Sequence, residues 1–212
     1  WCKVDSFFDP KLPPEPHREI PAILYAPTFT KGISSAWDMA PVIEKLAKEK
    51  EWNWIITFHP KLDDPVLLQQ YKDLAQKCPN VDFRLVNKGL ETFRESDVLL
   101  CDSSSLIVEY MMLDKPVVTF RNTHPGPFLL DVQTKEEVGP AIEKALNHPA
   151  ELMEEIHRYT SYHESHRDGQ NSARVLNAVD DFIANYQGHI PSKPLNLFRK
   201  LKLRWQLKYF KW

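Results

Sequence analysis

A short apolar strand that leads through three consecutive serines into an apolar helix constrains the fold more than any other part of the sequence. Residues 98–101 (Val-Leu-Leu-Cys) predict the strand, residues 103–105 are all serine, and the helix is predicted over residues 105–113. A second apolar strand, residues 117–120, follows directly. Because such a helix returns the chain to the start of the next strand, the pattern predicts a right-handed crossover between parallel strands.

The same alternation runs through the preceding part of the chain. Three further strands are predicted at residues 22–26, 54–58 and 81–86, each followed by a helix. After the fifth strand we expect helices over residues 135–147, 149–162 and 171–186. Parallel strands joined by helices need cover on both faces. The predicted fold class is therefore α/β, a Rossmann-like doubly wound parallel sheet with carboxyl-terminal helices.

Chain length limits the domain organisation. With 212 residues, the chain holds one substantial α/β domain and has no room for two full nucleotide-binding lobes. The first 20 residues are rich in proline and charge, which favours an extended connector over any regular element. We expect this connector over residues 1–20, the sheet domain over 21–187 and a basic tail over 188–212.

The three serines lie where the predicted strand ends and the helix begins. Backbone N–H groups and serine hydroxyls converge there, which suits a phosphate group. Ligands of open α/β sheets bind outside the carboxyl ends of the strands, which is where these residues lie. Ser103, Ser104 and Ser105 are therefore candidate phosphate-binding residues. The alternative is that one serine only caps the helix, the commonest use of serine there.

Two acidic residues flank the serines. Glu109 follows Ser105 by one helical turn on the same face, where its carboxylate can accept hydrogen bonds from ribose hydroxyls. The alternative for Glu109, favoured on the pattern alone, is a solvent-exposed helix acid. Asp102 joins the candidate nucleotide-binding residues, because it can orient a hydroxyl or ligate a cation, although turn formation is its favoured role.

Two further candidates follow other strands. His59 comes directly after the strand at 54–58, where an imidazole can act as a general base or, when protonated, bind a phosphate; a structural histidine is the alternative. Thr28 lies in a small polar loop after the first strand and is a candidate ligand contact. The chain has neither a Walker loop nor a GxGxxG motif, so neither standard fingerprint holds a nucleotide here. No metal-ligand spacing is present.

Charge is distributed unevenly along the chain. Residues 193–212 contain seven Lys or Arg residues and no acid, interspersed with Leu, Phe, Trp and Tyr. This composition is typical of an amphipathic helix on an anionic membrane surface; a nucleic-acid patch or a helix that docks on another part of a larger protein are the alternatives. Three cysteines without redox or metal spacing indicate a reducing, cytoplasmic compartment, and no segment has the composition of a signal peptide or membrane span.

Several ordered motifs together resemble one enzyme family. They are residues 23–29 (ILYAPTF), His59-Pro60, residues 96–105 with Glu109 and Asp114-Lys115-Pro116, and residues 168–175 (DGQNSARV). Over roughly residues 21–186, the chain resembles the carboxyl-terminal domain of the CDP-glycerol glycerophosphotransferases of teichoic acid and capsule polymer synthesis. It departs from that family at three positions: Ser103 replaces a usual Tyr or Thr, Thr57 a basic residue, and Glu109 a common Asp.

The resemblance implies a fold and a set of roles. It implies the donor-binding carboxyl-terminal lobe of a two-lobed GT-B fold, with residues 103–105 on the CDP diphosphate, Glu109 on the ribose and His59 near the transferred phosphoryl group. The CDP-activated donor is a substrate, a polymer is the acceptor, and neither a metal nor another cofactor is implied. The first ten residues resemble the interlobe segment. The resemblance then implies that the amino-terminal lobe, with the acceptor site and a second catalytic histidine, is missing from this chain. We expect this chain alone to bind nucleotide weakly and to lack transferase activity.

Two other functions remain open at this point. The same fold serves UDP-N-acetylglucosamine 2-epimerases, whose Asp-Gly and His-Pro motifs are similar, and other GT-B glycosyltransferases. A non-catalytic domain that interacts with a membrane surface through its tail is a third possibility. Nucleotide binding distinguishes the three functions. Preference for cytidine nucleotides supports the glycerophosphotransferase, preference for uridine nucleotides supports the epimerase, and absence of binding supports the non-catalytic domain. We expect no nucleic-acid partner.

Overall fold

One parallel sheet organises the molecule. The computed structural model describes residues 1–85, 88–186, 188 and 192–209. Within them the strands are β1 (Ala22–Tyr25), β2 (Asn53–Thr57), β3 (Val81–Arg84), β4 (Val98–Cys101), β5 (Val117–Phe120) and β6 (Leu130–Val132). Their spatial order is β3-β2-β1-β4-β5-β6, and every neighbouring pair is parallel. The direction of winding reverses between β1 and β4, which creates a crevice at their carboxyl ends.

Helices cover both faces of the sheet. The helices that do so are α1 (Ala36–Glu49), α2 (Pro65–Lys77), α3 (Leu90–Arg94), α4 (Leu106–Met111), α5 (Val138–Leu146) and α6 (Ala150–His163), and they are followed in the chain by α7 (Asn171–Tyr186) and α8 (Leu197–Gln206). Side chains of α1, α2 and α5 form one core cluster with one face of the sheet. Those of α3, α4 and α6 form the other cluster. The predicted Rossmann-like α/β fold class is confirmed.

The apolar strands explain this three-layer arrangement. In β1, Ile23 and Tyr25 point into one core cluster and Leu24 into the other, and all three are fully buried. A strand with both faces buried is continuously apolar rather than alternating. The start of α2 is fixed by a local cap, since Asp64 accepts hydrogen bonds from Val66 N and Leu67 N at 2.9 and 3.1 Å.

Two elements differ from the sequence-based prediction. The short edge strand β6 is not predicted, because three residues with a central aspartate lack a strand pattern. The expectation of no regular element in residues 1–20 is wrong for Cys2–Phe8, which forms a 3-10 helix. This helix exists because Val4 is completely buried against the domain, a contact made by tertiary packing rather than by local propensity. The predicted end of the third strand at residue 86 lies outside the described residues.

The rest of the connector is held against the sheet domain. Arg18 donates from Nε to both carboxylate oxygens of Asp97 and from Nη2 to Oδ1, at 2.7–3.2 Å, and Oδ2 also accepts from Ala22 N at 2.8 Å. Lys115 Nζ donates to the backbone oxygens of Phe93 and Ser96 and pairs with a carboxylate of the connector, Glu15. These contacts lie beside the starts of β1 and β4, at the sheet edge opposite the crevice.

The described chain forms two compact units, residues 1–172 and 173–212. The first contains the sheet and its flanking helices. The second contains most of α7 and all of α8. In α8 no residue is buried, and Phe198 and Trp205 are 91% and 78% exposed.

Candidate functional site

A cavity of about 470 Å³ opens at the carboxyl edge of the sheet beside the crevice between β1 and β4. This volume is within the range of small-molecule sites. Loops after three strands line it: the loop after β1 with Thr28, the loop after β2 with His59, and the serine loop after β4. Glu109 on α4, Gly89 before α3 and Lys3 of the 3-10 helix complete the polar part of the wall. The structure thus brings together every predicted site residue except Asp102.

Asp102 is a positioning residue and not a ligand contact. Its side chain is completely buried, and it does not line the cavity. One carboxylate oxygen accepts from Thr28 N at 2.8 Å, and the other accepts from Ser35 N at 2.8 Å and Ser35 Oγ at 2.9 Å. An ionised carboxylate has no donor for a phosphate, and the buried oxygens of Asp102 already accept from protein donors and not from a ligand hydroxyl or cation, which argues against its predicted place among the nucleotide-binding residues. It ties the β1 loop and the start of α1 to the serine loop.

Burial sets the electrostatics of this carboxyl group. Desolvation raises the pKa of Asp102, and the hydrogen bonds from Ser35 and Thr28 oppose that rise without cancelling it. The backbone on its carboxyl side is also fixed, since Asn122 Nδ2 donates to the Asp102 carbonyl oxygen at 2.8 Å. The serine loop is therefore held from both sides before any ligand binds.

The three serines have different surroundings. The Ser104 hydroxyl accepts from Leu106 N at 3.2 Å and so caps the first turn of α4, which is the structural role considered for one serine. Ser105 is exposed at the N-cap position without a side-chain capping bond. The first backbone amides of α4 are used within the turn, since Leu106 N donates to Ser104 Oγ and Ile107 N donates to the Ser104 carbonyl oxygen at 3.3 Å. Ser104 and Ser105 both line the cavity.

Ser103 is oriented by a residue that the sequence analysis does not single out. Its hydroxyl oxygen accepts from both Thr123 N at 2.9 Å and Thr123 Oγ1 at 3.1 Å. Thr123 Oγ1 also lies 2.9 Å from His124 Nδ1. Because two donors occupy the Ser103 oxygen, its own hydrogen is left to donate to a third group. Thr123 follows β5, so its position after a strand of the same sheet is the sequence signal that would have identified it.

His59 lines the cavity, and a backbone hydrogen bond defines the role of its ring nitrogens. Its Nδ1 accepts a hydrogen bond from Lys61 N at 3.1 Å, so the neutral ring carries its proton on Nε2. The ring packs against Phe29 of the β1 loop, with centroids 4.3 Å apart. In this arrangement Nε2–H is a hydrogen-bond donor. The geometry favours binding of an anionic oxygen over the general-base role, which needs an unprotonated Nε2.

Glu109 is enclosed at the cavity wall. It is only 5% exposed, and its Oε1 accepts from Lys3 Nζ at 2.6 Å. The interpretation of Glu109 as a solvent-exposed helix acid is therefore wrong. The sequence gives no local sign of this contact, because Lys3 is 106 residues away along the chain. Lys3 is a site residue that the sequence analysis missed.

The arrangement defines a class of protein. The strand order, the crevice at the point of reversal and a polar cavity of hydroxyl, imidazole and carboxylate groups are those of Rossmann-like α/β domains, whose ligand sites lie at the carboxyl ends of the strands. The described residues contain no group of three or more His, Cys, Asp or Glu side chains placed to hold a metal ion. Among the same residues, no helix combines the length and apolar character needed to cross a bilayer.

Sequence comparison identifies the family. The CDP-glycerol:poly(glycerophosphate) glycerophosphotransferase profile matches residues 11–181, most of the chain. The chain belongs to this family, which is a family of transferases. A comparison with curated proteins finds no match.

Solved structures share the fold at low sequence identity. A glycosyltransferase from Rickettsia africae ESF-5 aligns with a TM-score of 0.58 and 14% identity over 85% of this chain and 55% of its own. The wall teichoic acid polymerase TagF, soaked with CDPG, gives 0.54 and 17% over 86% and 45%. A protein provisionally described as a UDP-N-acetylglucosamine 2-epimerase, from Listeria monocytogenes, gives 0.58 and 12% over 85% and 52%. The chain spans about half the length of these structures.

Proposed function

We propose that this chain is the donor-nucleotide-binding part of an enzyme that transfers glycerol phosphate, or a related polyol or sugar phosphate, from a CDP-activated donor to a cell-surface polymer. The observation that carries the proposal is the cavity at the β1–β4 crevice, where the serine loop, His59 and Glu109 converge in a chain of this family. The TagF structure with CDPG supports the same donor class.

Each polar group of the cavity has a place in donor binding. Ser103 donates its remaining hydrogen, and the Ser105 hydroxyl donates as well, to oxygens of the diphosphate. Glu109 accepts from the ribose hydroxyls. His59 donates from Nε2 to an oxygen of the phosphoryl group that is transferred, where it stabilises developing charge. Because these protein donors meet the phosphate oxygens directly, we propose that donor binding needs no metal.

Transfer requires a second reactant on the open side of the cavity. An acceptor hydroxyl forms a new bond to the terminal phosphorus of the donor, the bond from that phosphorus to the CMP oxygen breaks, and CMP leaves with the electron pair. The hydroxyl proton goes to a base. His59, with its proton on Nε2, is not placed to take it, so we propose that a second lobe supplies the base and the acceptor site.

The tail supports a second proposal, association with the cytoplasmic face of a membrane. In α8, Leu197, Leu201 and Trp205 lie on one face of the helix together with Phe198, and the other faces carry four Lys or Arg residues and no acid. An exposed helix of this type binds where apolar side chains enter the lipid boundary and cations contact anionic headgroups. Co-sedimentation with anionic vesicles tests it. Leu201→Glu should abolish pelleting, whereas Gln206→Glu, with the same charge change on the polar face, should retain it.

Nucleotide titration tests the main proposal. We expect CDP-glycerol and CDP to bind more tightly than UDP and UDP-N-acetylglucosamine in calorimetry or thermal-shift experiments. His59→Ala and Ser105→Ala should each weaken CDP-glycerol binding by roughly threefold to tenfold, the effect of one hydrogen bond. His17→Ala and Ser161→Ala are matched controls, because both residues are exposed and lie outside the cavity wall.

The same titration contains the results that contradict the proposal. A preference for uridine nucleotides supports the epimerase or glycosyltransferase alternative instead. Absence of binding by every nucleotide supports a non-catalytic domain. Equal affinities of the His59→Ala and His17→Ala variants for CDP-glycerol remove His59 from the site even if the nucleotide preference is as expected.

A further inference from the structure

The amino-terminal 3-10 helix brings a cation to the donor cavity. Lys3 Nζ lies 2.6 Å from Glu109 Oε1, and the two side chains are 60% and 6% exposed. Lys3 and His59 are the basic side chains among the described residues of the cavity wall. His59 Nδ1 is already used as an acceptor for Lys61 N, so His59 offers the cavity its Nε2 side, whereas Lys3 offers an ammonium group.

The motif at residues 168–172 holds this helix in place. The carboxylate of Asp5 accepts from Asn171 N at 3.0 Å and from Ser172 N at 2.7 Å, which caps the start of α7. Gly169 has a φ of +71°, and a Cβ atom on it would lie 2.9 Å from the carbonyl oxygen of Asp5. Only glycine allows this close approach. The Asp-Gly motif therefore fixes the helix that carries Lys3, a role the donor-binding proposal does not assign to it.

The Lys3–Glu109 pair matters because an anionic ligand must enter beside a buried carboxylate. In the free chain Lys3 neutralises Glu109. A ligand that offered phosphate alone would compete for Lys3 and leave Glu109 enclosed without a counter-charge, which is costly. A ligand with both a phosphate and hydroxyl donors satisfies Lys3 and Glu109 separately. The pair thus favours phosphorylated sugars over bare phosphates.

We propose that Lys3 is a phosphate-binding residue of the donor site, positioned by Asp5 and Gly169. When the donor binds, the Lys3 ammonium leaves Glu109 and contacts the donor diphosphate. This rests on the proposed nucleotide-binding function. The connector is then part of the donor site, and the Asp-Gly motif acts on binding through the position of Lys3.

Titrations that differ only in phosphate content test the proposal. The full chain is titrated with cytidine, CMP and CDP at low and high salt. Lys3→Met should weaken CDP binding by about tenfold, the lower end for a charged hydrogen bond because Lys3 is largely exposed, and should leave cytidine binding within twofold. Lys3→Arg should recover most of the loss. Lys11→Met is the control, an exposed connector lysine outside the cavity wall.

Two further variants separate a ligand contact from a merely structural role. Glu109→Gln releases Lys3 from its partner, so inorganic pyrophosphate should bind this variant more tightly than wild type, whereas Lys3→Met should bind it more weakly. Gly169→Ala, which displaces the helix, should mimic Lys3→Met with CDP. Its circular dichroism spectrum and unfolding transition show whether it is folded.

The outcomes distinguish this proposal from the function on which it rests. If wild type binds CDP but Lys3→Met binds it as Lys11→Met does, the role of Lys3 is wrong and the nucleotide site stands. Equal losses for cytidine and CDP in Lys3→Met also overturn it, because they indicate disruption of the cavity. If wild type binds none of the three cytidine compounds, both proposals are wrong.

Discussion

Replacing Asp102 with asparagine removes one hydrogen-bond acceptor from the most connected side chain of the site. In wild type, Oδ1 accepts from Thr28 N, and Oδ2 accepts from Ser35 N and Ser35 Oγ. In Asp102→Asn, an NH2 group takes the place of one oxygen. Whichever oxygen it replaces, the NH2 group faces a backbone N–H, and two donors then oppose each other in a completely buried position.

The cost follows from the two donors left without acceptors. Each buried unsatisfied donor costs about 1–3 kcal/mol, so the pair costs roughly 2–6 kcal/mol. Burial already raises the pKa of Asp102, so removing the charge recovers part of its desolvation cost. We therefore expect a loss of about 3 kcal/mol in the free energy of unfolding. In a protein of this size, the loss lowers Tm by about 6–12 °C.

Urea unfolding followed by tryptophan fluorescence measures this loss, since Trp52 and Trp54 lie in the core. Asp131→Asn is the matched control. Asp131 Oδ1 also accepts two hydrogen bonds, from Thr119 Oγ1 and Asn122 N, but its Oδ2 faces the side-chain amide of Gln133, which can turn its oxygen toward a new NH2 group. The control should lose less than about 1 kcal/mol. Equal losses in the two variants would refute the reasoning.

Three further variants test how the connector is attached. Arg18→Gln should cost about 2 kcal/mol near neutral pH in urea unfolding. Burial raises the pKa of Asp97, but the hydrogen bonds from Arg18 and Ala22 N outweigh this effect, so the pKa in the folded protein lies below its ordinary value. The stabilisation is therefore present above the ordinary pKa and is lost as the pH falls through the lowered pKa. The difference in stability between wild type and Arg18→Gln should shrink in acid. Val4→Ala should cost about 2 kcal/mol through a cavity, measured by the same transition. Glu15→Gln should cost about 1 kcal/mol, because Lys115 loses its carboxylate but keeps two carbonyl acceptors.

The predictable part of the fold is the part encoded locally. Continuous apolar runs such as 98–101 specify strands with two buried faces, and helices such as α1 carry their apolar residues at helical spacing, so the parallel sheet follows from the sequence. The strand β6 pairs with β5 through only three residues and has no such pattern. The helix Cys2–Phe8 is stabilised by Val4 and Asp5 in contacts with distant residues, which no local pattern encodes.

The candidate site also has a part that the local sequence predicts and a part that it does not. The serine loop and His59 could be predicted because both follow strands of one sheet, and the carboxyl ends of parallel strands meet at one edge. The contact between Lys3 and Glu109 could not, since it joins a connector to α4 across 106 residues. Asp102 lies between these cases. Its position after β4 marks it as a site residue, but only its buried hydrogen bonds show that it acts on the loops and not on a ligand.

A carboxylate in an anion-binding cavity has a consequence for selectivity. Two unit charges roughly 6 Å apart at an effective dielectric constant of about 20 repel each other by about 3 kcal/mol, a factor of about 100 in affinity. Glu109 imposes a penalty of this order on any phosphate that draws Lys3 away from it, unless the ligand also supplies hydroxyl donors. In the proposed donor site, this penalty would act against free phosphate and not against a nucleotide. Specificity would then arise from the cost of leaving Glu109 unpaired more than from the number of donors that contact the phosphate.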